Sequence, residues 1–383
     1  MVSRLSSFLC ALFLSFSLGW PTPLAAAEDD APFQVAAQAA ILGDLDTGEI
    51  LLAQNADEIR SPASLTKVMT LYLIYEALAK GDLTLDTKLH VSEQAWRVGG
   101  SKTFVKVGDE VRLEELIQGI AVQSGNDACV VVAEHLGGTE QGFADLMNHK
   151  AQQLGMTNTH FLNSSGLPAE GHHTTARDLF ILARHVMLDF PQYSHFSQLK
   201  EYTFNGIRQY NRNRLLWRDP SVTGLKTGHT AEAGYCMIAT NEKDGQRLGA
   251  VILGSESSKL REAEALRMLR YGNRMYETVR LFNGGAEVRR LRVWKGESDE
   301  VPGVVDKPLM VTIPRKNRGD LEVGLLWKEP VMAPLARGDE VGSLVVKLKG
   351  TELLRRPVVA GVAVPEGGIF RRVVDGVRLQ MGW

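Results

Sequence analysis

Ser61-Pro62-Ala63-Ser64-Leu65-Thr66-Lys67, followed by an apolar run over residues 68–79, is the stretch whose reading decides the fold of this 383-residue chain. The run is made of strong helix formers and meets no Gly or Pro until Gly81, which predicts one helix beginning near Ser64. Its apolar residues Leu65, Val68, Met69, Leu71, Tyr72, Leu73, Ile74 and Leu78 fall on every side of such a helix. That is the pattern of a helix buried at the centre of a domain. Ser64 and Lys67 are three residues apart, so one turn stacks the hydroxyl and the amine on one face, as a nucleophile beside its base requires. Alone the pair carries little, because a serine that caps a helix and a lysine that snorkels to water give the same letters. A second Ser-x-x-Lys occurs at Ser197-Gln198-Leu199-Lys200.

Working outward, the composition is that of a globular protein with room for two domains, 44% hydrophobic and 23% charged. A net charge of −2 argues against a general nucleic-acid binder. Arg4, the apolar run over residues 8–18 and Ala25-Ala26-Ala27 ahead of Glu28-Asp29-Asp30 predict a signal peptide over residues 1–27, and hence an exported protein. The apolar core is well short of the roughly 20 residues a membrane span needs. Cys10 would leave with the signal, and Cys129 and Cys236 are then either one bridge or two buried thiols.

Residues 39–45 and 50–52, joined by Asp46-Thr47-Gly48-Glu49, read as strand, turn, strand. Residues 113–122 read as an amphipathic helix that stops at Gln123-Ser124-Gly125-Asn126-Asp127, and residues 128–136 as a second helix ended by Gly137-Gly138. Thr174-Thr175-Ala176-Arg177-Asp178 opens a helix over residues 179–187. Lys226-Thr227-Gly228 stands at the start of a predicted hairpin formed by residues 235–240 and 248–253, and a long helix is expected over residues 260–282. This order predicts an antiparallel sheet layered with helices, an α/β (α+β) domain over residues 28–284. Asn283-Gly284-Gly285 marks the expected boundary. Short β-type runs at 288–294, 309–313, 321–327, 342–348 and 357–362 predict a small all-β domain over residues 285–365. Over residues 366–383 helical periodicity returns, with Ile369, Phe370, Val373, Val374, Val377 and Met381 on one face, and Arg371, Arg372, Asp375 and Arg378 on the other. Ending in Trp383, it fits a helix lying in a membrane interface, and the competing reading is a helix docked on its own domain.

Three polar islands follow one another in the first domain: Ser64-x-x-Lys67, Ser124-Gly125-Asn126 and Lys226-Thr227-Gly228. An S-x-x-K, S-D-N, K-T-G set in that order characterises penicillin-binding proteins and class A β-lactamases, and the second Ser-x-x-Lys at Ser197 falls out of order. The chain resembles the low-molecular-mass penicillin-binding proteins, specifically the type-five D-alanyl-D-alanine carboxypeptidases. Further residues carry the likeness: Pro62-Ala63, Asp127-Ala128-Cys129, Ile207-Arg208-Gln209-Tyr210-Asn211-Arg212-Asn213, His229-Thr230, the β-type tail domain and the terminal helix.

The resemblance implies a serine β-lactamase/transpeptidase-like domain on a β-sandwich stalk. It also implies a periplasmic location at the outer face of the cytoplasmic membrane, contacted through the C-terminal helix. Ser64 would attack the carbonyl between the two terminal D-alanines of a peptidoglycan stem peptide, with Lys67 as base and Ser124 as proton relay. Asn126 would hold the acyl side chain and hydrogen-bond Lys67, while Lys226 and Thr227 would bind the terminal carboxylate and Gly228 would let a strand lie close. The backbone N–H groups of Ser64 and His229 would form the oxyanion hole, β-lactams would acylate the same serine, and the charge of Lys226 would help keep Lys67 neutral. Arg208 and Arg261 are anion-binding candidates by the same route, or else arginines in structural salt bridges. No cofactor is implied, His172-His173 and Asp178 lack a metal-ligand spacing such as H-E-x-x-H, and they are expected in a solvated loop.

Two neighbouring activities share the trio. A class A β-lactamase needs a deacylating glutamate, and around residues 163–173 the only acid is Glu170, outside the Glu-x-x-Leu-Asn pattern. A DD-endopeptidase differs only outside the motifs. A penicillin-sensing or wall-binding module without turnover is the reading from another class.

Overall fold

A computed structural model describes residues 33–381, so the expected signal peptide and Trp383 lie outside the described residues. Five antiparallel strands form the sheet of the first domain, in the spatial order Ile50–Gln54, Ala39–Asp44, Gln246–Ser255, Gly234–Lys243, Val222–Thr230. Period-two alternation assigns its faces. Ile41 joins the large helical core together with Phe180, and a Cβ on Gly43 would strike the Phe180 ring. On the other face, Gly272 of the helix Ser258–Met275 has no side chain and comes down on Leu248 and Leu42. The predicted α/β layering is therefore observed.

The run after Ser64 forms a 3-10 turn, Ala63–Thr66, that passes into the α-helix Lys67–Lys80. All residues from Lys67 to Tyr75 are buried, as the all-round apolar pattern required. Gly81, left-handed at φ 79°, ends the helix, its N–H donating to the carbonyls of Ala77 and Leu78. The predicted 113–122 helix is α-helical only over Leu113–Gln118, then widens into a π-helical turn, Gly119–Gln123. That widening leaves Ser124 in the left-handed region at φ 66°, ahead of the helix Asn126–Gly137. Such π-turns and left-handed non-glycine residues concentrate at functional sites.

Several expectations are corrected. The predicted hairpin is present as Gly234–Lys243 paired with Gln246–Ser255, but Lys226-Thr227-Gly228 is more than its entry: it lies inside a further strand, Val222–Thr230, at the edge of the sheet. The helix expected to reach residue 282 stops at Met275, and Tyr276–Phe282 is a strand paired with Leu309–Pro314. Val279 accordingly belongs to a second hydrophobic cluster with Val311 and Ile313. In the β-rich region a six-stranded sheet includes Glu300–Val304, which Pro302-Gly303 hid from the sequence reading. The strand expected at 357–362 is Thr351–Ala360. His172 and Asp178 are buried and do not lie in a solvated loop. His172 Nε2 meets Thr66 Oγ1 at 3.0 Å, and Asp178 Oδ2 accepts from Asn158 N at 2.8 Å.

The C-terminal helix spans Ile369–Met381. Among the described residues no helix is long and apolar enough to cross a membrane.

Candidate active site

The three islands converge on one groove of about 490 Å³, whose lining includes Ser64, Ser124, Thr227, Gly228, His229 and Arg261. Ser64 sits on the 3-10 turn directly after Ala63, which is held at φ 47°, a costly conformation for a residue with a Cβ. The chain opposite is packed just as tightly. Gly166 lies against the Ala63 carbonyl, and a Cβ added there would overlap it. Gly228 serves the same purpose from the strand side: its Cβ would lie 3.1 Å from Ser64 N and 3.3 Å from Leu65 N. Only a residue without a side chain lets the strand come so near the serine.

Lys67 is fully buried, and its Nζ donates to Ser64 Oγ at 3.0 Å and to the Ser165 carbonyl at 2.5 Å. Burial lowers its amine from 10.5 to about 8; the neighbouring Cys129 and Asp127 oppose this, and the Arg212 guanidinium adds to it. Lys226 is buried too, donates to its neighbour's carbonyl, Thr227 O, at 2.9 Å, and is pushed well below the usual lysine range, first by burial and then by Lys67 and Arg212. The sequence reading has the charge of Lys226 help keep Lys67 neutral. Withdrawal from water is the larger cause, the Arg212 guanidinium adds to it, and Lys67 and Lys226 repel one another.

Ser124 Oγ is buried without a hydrogen-bond partner among the described residues, so its donor and acceptor capacity is free for a ligand or a proton in transit. Asn126 does not bond Lys67 as expected: its Nδ2 donates to the Gly99 carbonyl at 2.7 Å. Asp127 holds the wall beside it, accepting at Oδ1 from Thr103 N at 2.7 Å and at Oδ2 from Phe104 N at 2.8 Å. This fixes the segment that brings Ser101 to the groove.

His229 packs against Tyr235 with ring centroids 4.1 Å apart and the ring planes tilted by 32°, across the antiparallel pairing of their strands. Arg261 lies behind that strand, with Nη1 3.4 Å from the carbonyls of Gly228 and Cys236 and its guanidinium over the Tyr235 ring. Arg208 stands apart. It is exposed, bonded through Nη2 to both oxygens of Glu201 at 2.7 Å, and does not line the groove. Glu170 lines a different depression, with Arg60, His173 and Glu232. Cys129 and Cys236 are both free and buried.

Tyr210, Asn211, Arg212 and Arg214 also line the groove, and the sequence reading gave them no role. Finding them requires knowing that the turn after the short hairpin strands Glu201–Phe204 and Ile207–Tyr210 folds back on Gln123, which Arg212 Nε reaches at 3.4 Å. The Ser165 carbonyl on Lys67 was likewise beyond motif reading, since a backbone acceptor has no letter.

A buried amine beside an exposed-side hydroxyl, a free serine opposite and a close strand with cationic neighbours can perform acyl transfer on a substrate that ends in a carboxylate. Comparison with known proteins gives the same direction. The D-alanyl-D-alanine carboxypeptidase family matches residues 25–257, and the C-terminal domain of penicillin-binding protein 5 matches residues 276–366. D-alanyl-D-alanine carboxypeptidase DacA of Escherichia coli K12 is 38% identical over 98% of this chain and 95% of its own length. Penicillin-binding protein 5 from Haemophilus influenzae, known from crystal structures, superposes with a TM-score of 0.82 at 34% identity, covering 88% of this chain and 99% of that one. Penicillin-binding protein D2 from Listeria monocytogenes, solved in its cefotaxime-bound form, superposes with a TM-score of 0.58 at 30% identity, covering 62% and 97%.

Proposed function

The chain belongs to the D-alanyl-D-alanine carboxypeptidase family, and from that premise we propose how its residues remove the terminal D-alanine of a peptidoglycan stem pentapeptide. It is a serine-type carboxypeptidase of the low-molecular-mass penicillin-binding proteins. Ser64 Oγ attacks the carbonyl carbon of the penultimate D-alanine while Lys67, in its neutral form, takes the hydroxyl proton. The N–H groups of Ser64 and His229 receive the oxyanion, typically worth ~3 kcal/mol per donor. As the amide bond breaks, the proton passes by way of Ser124 to the leaving nitrogen, and D-alanine departs. Water then hydrolyses the ester and restores Ser64.

Thr227 and Lys226 hold the terminal carboxylate, with Arg261 keeping their strand in place from behind. Asn126, held by the Gly99 carbonyl, orients the acyl side of the peptide. β-Lactams enter as substrates whose ring amide takes the place of the scissile bond. The observation that carries this reading is the 3.0 Å contact from Lys67 Nζ to Ser64 Oγ inside a groove that also holds Ser124 and Thr227. A β-lactamase reading gains nothing from Glu170, which faces another depression.

The wider setting follows the sequence expectations: export to the periplasm, and peripheral attachment to the outer face of the cytoplasmic membrane through Ile369–Met381, with the β-rich domain as stalk. The test is direct. Purified mature protein given a pentapeptide ending in D-Ala-D-Ala should release D-alanine, and Ser64→Ala should abolish both release and covalent labelling by penicillin. Labelling that survives, or moves to Ser197, would refute the nucleophile assignment; labelling without any release would favour a sensor.

A further inference from the structure

The groove carries more positive charge than one terminal carboxylate requires. Arg212, Arg214 and Arg261 line it, with the buried Lys67 and Lys226 behind. Glu262 is the one acidic residue of the lining, and it is taken: Arg261 Nη2 lies 3.5 Å from Oε1 and Arg218 Nη1 lies 3.6 Å from Oε2. Arg261 is further committed to the Gly228 and Cys236 carbonyls, and Arg212 to Gln123. Arg214 has no carboxylate within ion-pair distance among the described residues.

Its place in the groove follows from the chain on either side. Arg214 leads into the short helix Leu215–Arg218, and the Arg218 to Glu262 pair ties that helix to the start of Ser258–Met275. Ser258, Arg261 and Glu262, all at that helix start, line the same groove. Arg214 and that helix start thus share one groove lining with Thr227, where the catalytic reading places the carboxylate of the leaving residue. Arg214 is exposed on the lining of the groove, among like charges and with no anion of its own, so it is open to a carboxylate that the ligand brings, and its planar fork is suited to one.

We propose that Arg214 is a specificity-determining residue that binds a second carboxylate, carried on the side chain of the leaving D-amino acid. The inference rests on the carboxypeptidase reading. The leaving residue's own carboxylate occupies Thr227 and Lys226, and a side chain one or two methylenes long carries the second toward Arg214. The bond changes are unaltered: the amide breaks, the Ser64 ester forms, and the proton goes to the leaving amine, which now belongs to an acidic D-residue.

The experiment compares three peptides of one sequence that end in D-Ala-D-Ala, D-Ala-D-Gln or D-Ala-D-Glu, using the mature protein, Arg214→Gln and Arg214→Lys. The quantity read is kcat/KM for the D-Glu peptide divided by that for its neutral isostere D-Gln, a ratio within one enzyme that does not depend on how much of a variant is active. The parent enzyme should favour D-Glu by about tenfold, the size of one charge-assisted contact. Arg214→Gln should bring the ratio to about one, Arg214→Lys should keep part of it, and added salt should shrink it. A parent ratio of one or less, or a preference that survives in Arg214→Gln, overturns the proposal. If D-alanine release from D-Ala-D-Ala is normal while the ratio is flat, only this inference falls; if D-alanine is never released, the carboxypeptidase reading falls and takes it along.

Discussion

If Lys67 is the base, the rate of acylation must follow its neutral fraction, and the fold sets that fraction. An ordinary lysine at 10.5 is neutral in only about 0.03% of molecules at pH 7, whereas one lowered to about 8 is neutral in about 9%. The buried site therefore raises the working population of base about 300-fold at that pH. The sign is fixed: a lowered lysine loses its proton earlier as pH rises, so the rate constant for acylation should climb about tenfold per pH unit below 8 and level off above it. Lys226 titrates in the same pocket, so the observed midpoint belongs to the pair. Arg212 gives a second handle. Its charge lowers Lys67, so Arg212→Gln should move the midpoint to higher pH and slow acylation at pH 7. Stopped-flow acylation by a fluorescent penicillin, followed from about pH 5.5 to about 9.5, measures both. A profile flat across that range, a midpoint near that of free lysine, or a downward move in Arg212→Gln would refute the assignment of Lys67.

Gly228→Ala sets a methyl 3.1 Å from Ser64 N, so the strand must retreat from the serine. Acylation should slow on the order of 100-fold with the fold intact, and a loss under about threefold would mean the approach is not needed. Asp127→Ala strips the acceptors from Thr103 N, Phe104 N and Ala128 N and leaves buried donors unmade; urea denaturation should show a loss of ~3 kcal/mol, and a change under ~0.5 kcal/mol would contradict it. Deleting residues 369–383 should release the protein from membranes and leave D-alanine release in place; continued sedimentation with membranes would count against the anchor.

The catalytic pair was legible because it is local. A spacing of three places Ser64 over Lys67 whether that turn is 3-10 or α, and an apolar run without Gly or Pro predicts burial from its own letters. The sheet around Lys226 was legible only in part. A strand interrupted by Gly224 and Gly228 lacks the β-branched run that marks one, although Gly228 is there because a backbone passes close. Tyr276–Phe282 reads as helix because no Gly or Pro stands between Gly272 and Phe282 to end the helical stretch, and its pairing with Leu309–Pro314 is a distant choice. What could not be read were contacts between segments far apart in sequence: Asn126 on Gly99, Lys67 on the Ser165 carbonyl, Arg212 near Lys67. Motif spacing fixes which residues face one way; it is the packing of the loops that decides what they face.

The terminal helix poses the remaining question of which of its two faces is docked. A helix held for the sake of its own domain buries its apolar stripe and leaves its charges to water. Here Asp375 is only 7% exposed, its Oδ2 accepting from Lys295 N at 2.7 Å, and Arg371 and Arg372 pair with Asp299 and Glu366. Phe370 is 91% exposed and Ile369 79%, with Val373, Val374, Val377 and Met381 continuing the same strip. Polar contacts thus fasten the helix, and its hydrophobic strip is left facing away from the domain. In water that strip gains nothing, and its burial in an interfacial layer would recover ~25 cal/mol for each square ångström covered. The orientation makes Asp375 the hinge of the membrane reading: Asp375→Ala should free the helix to roll its apolar side inward, weakening sedimentation with membranes while every apolar residue of the strip is still present.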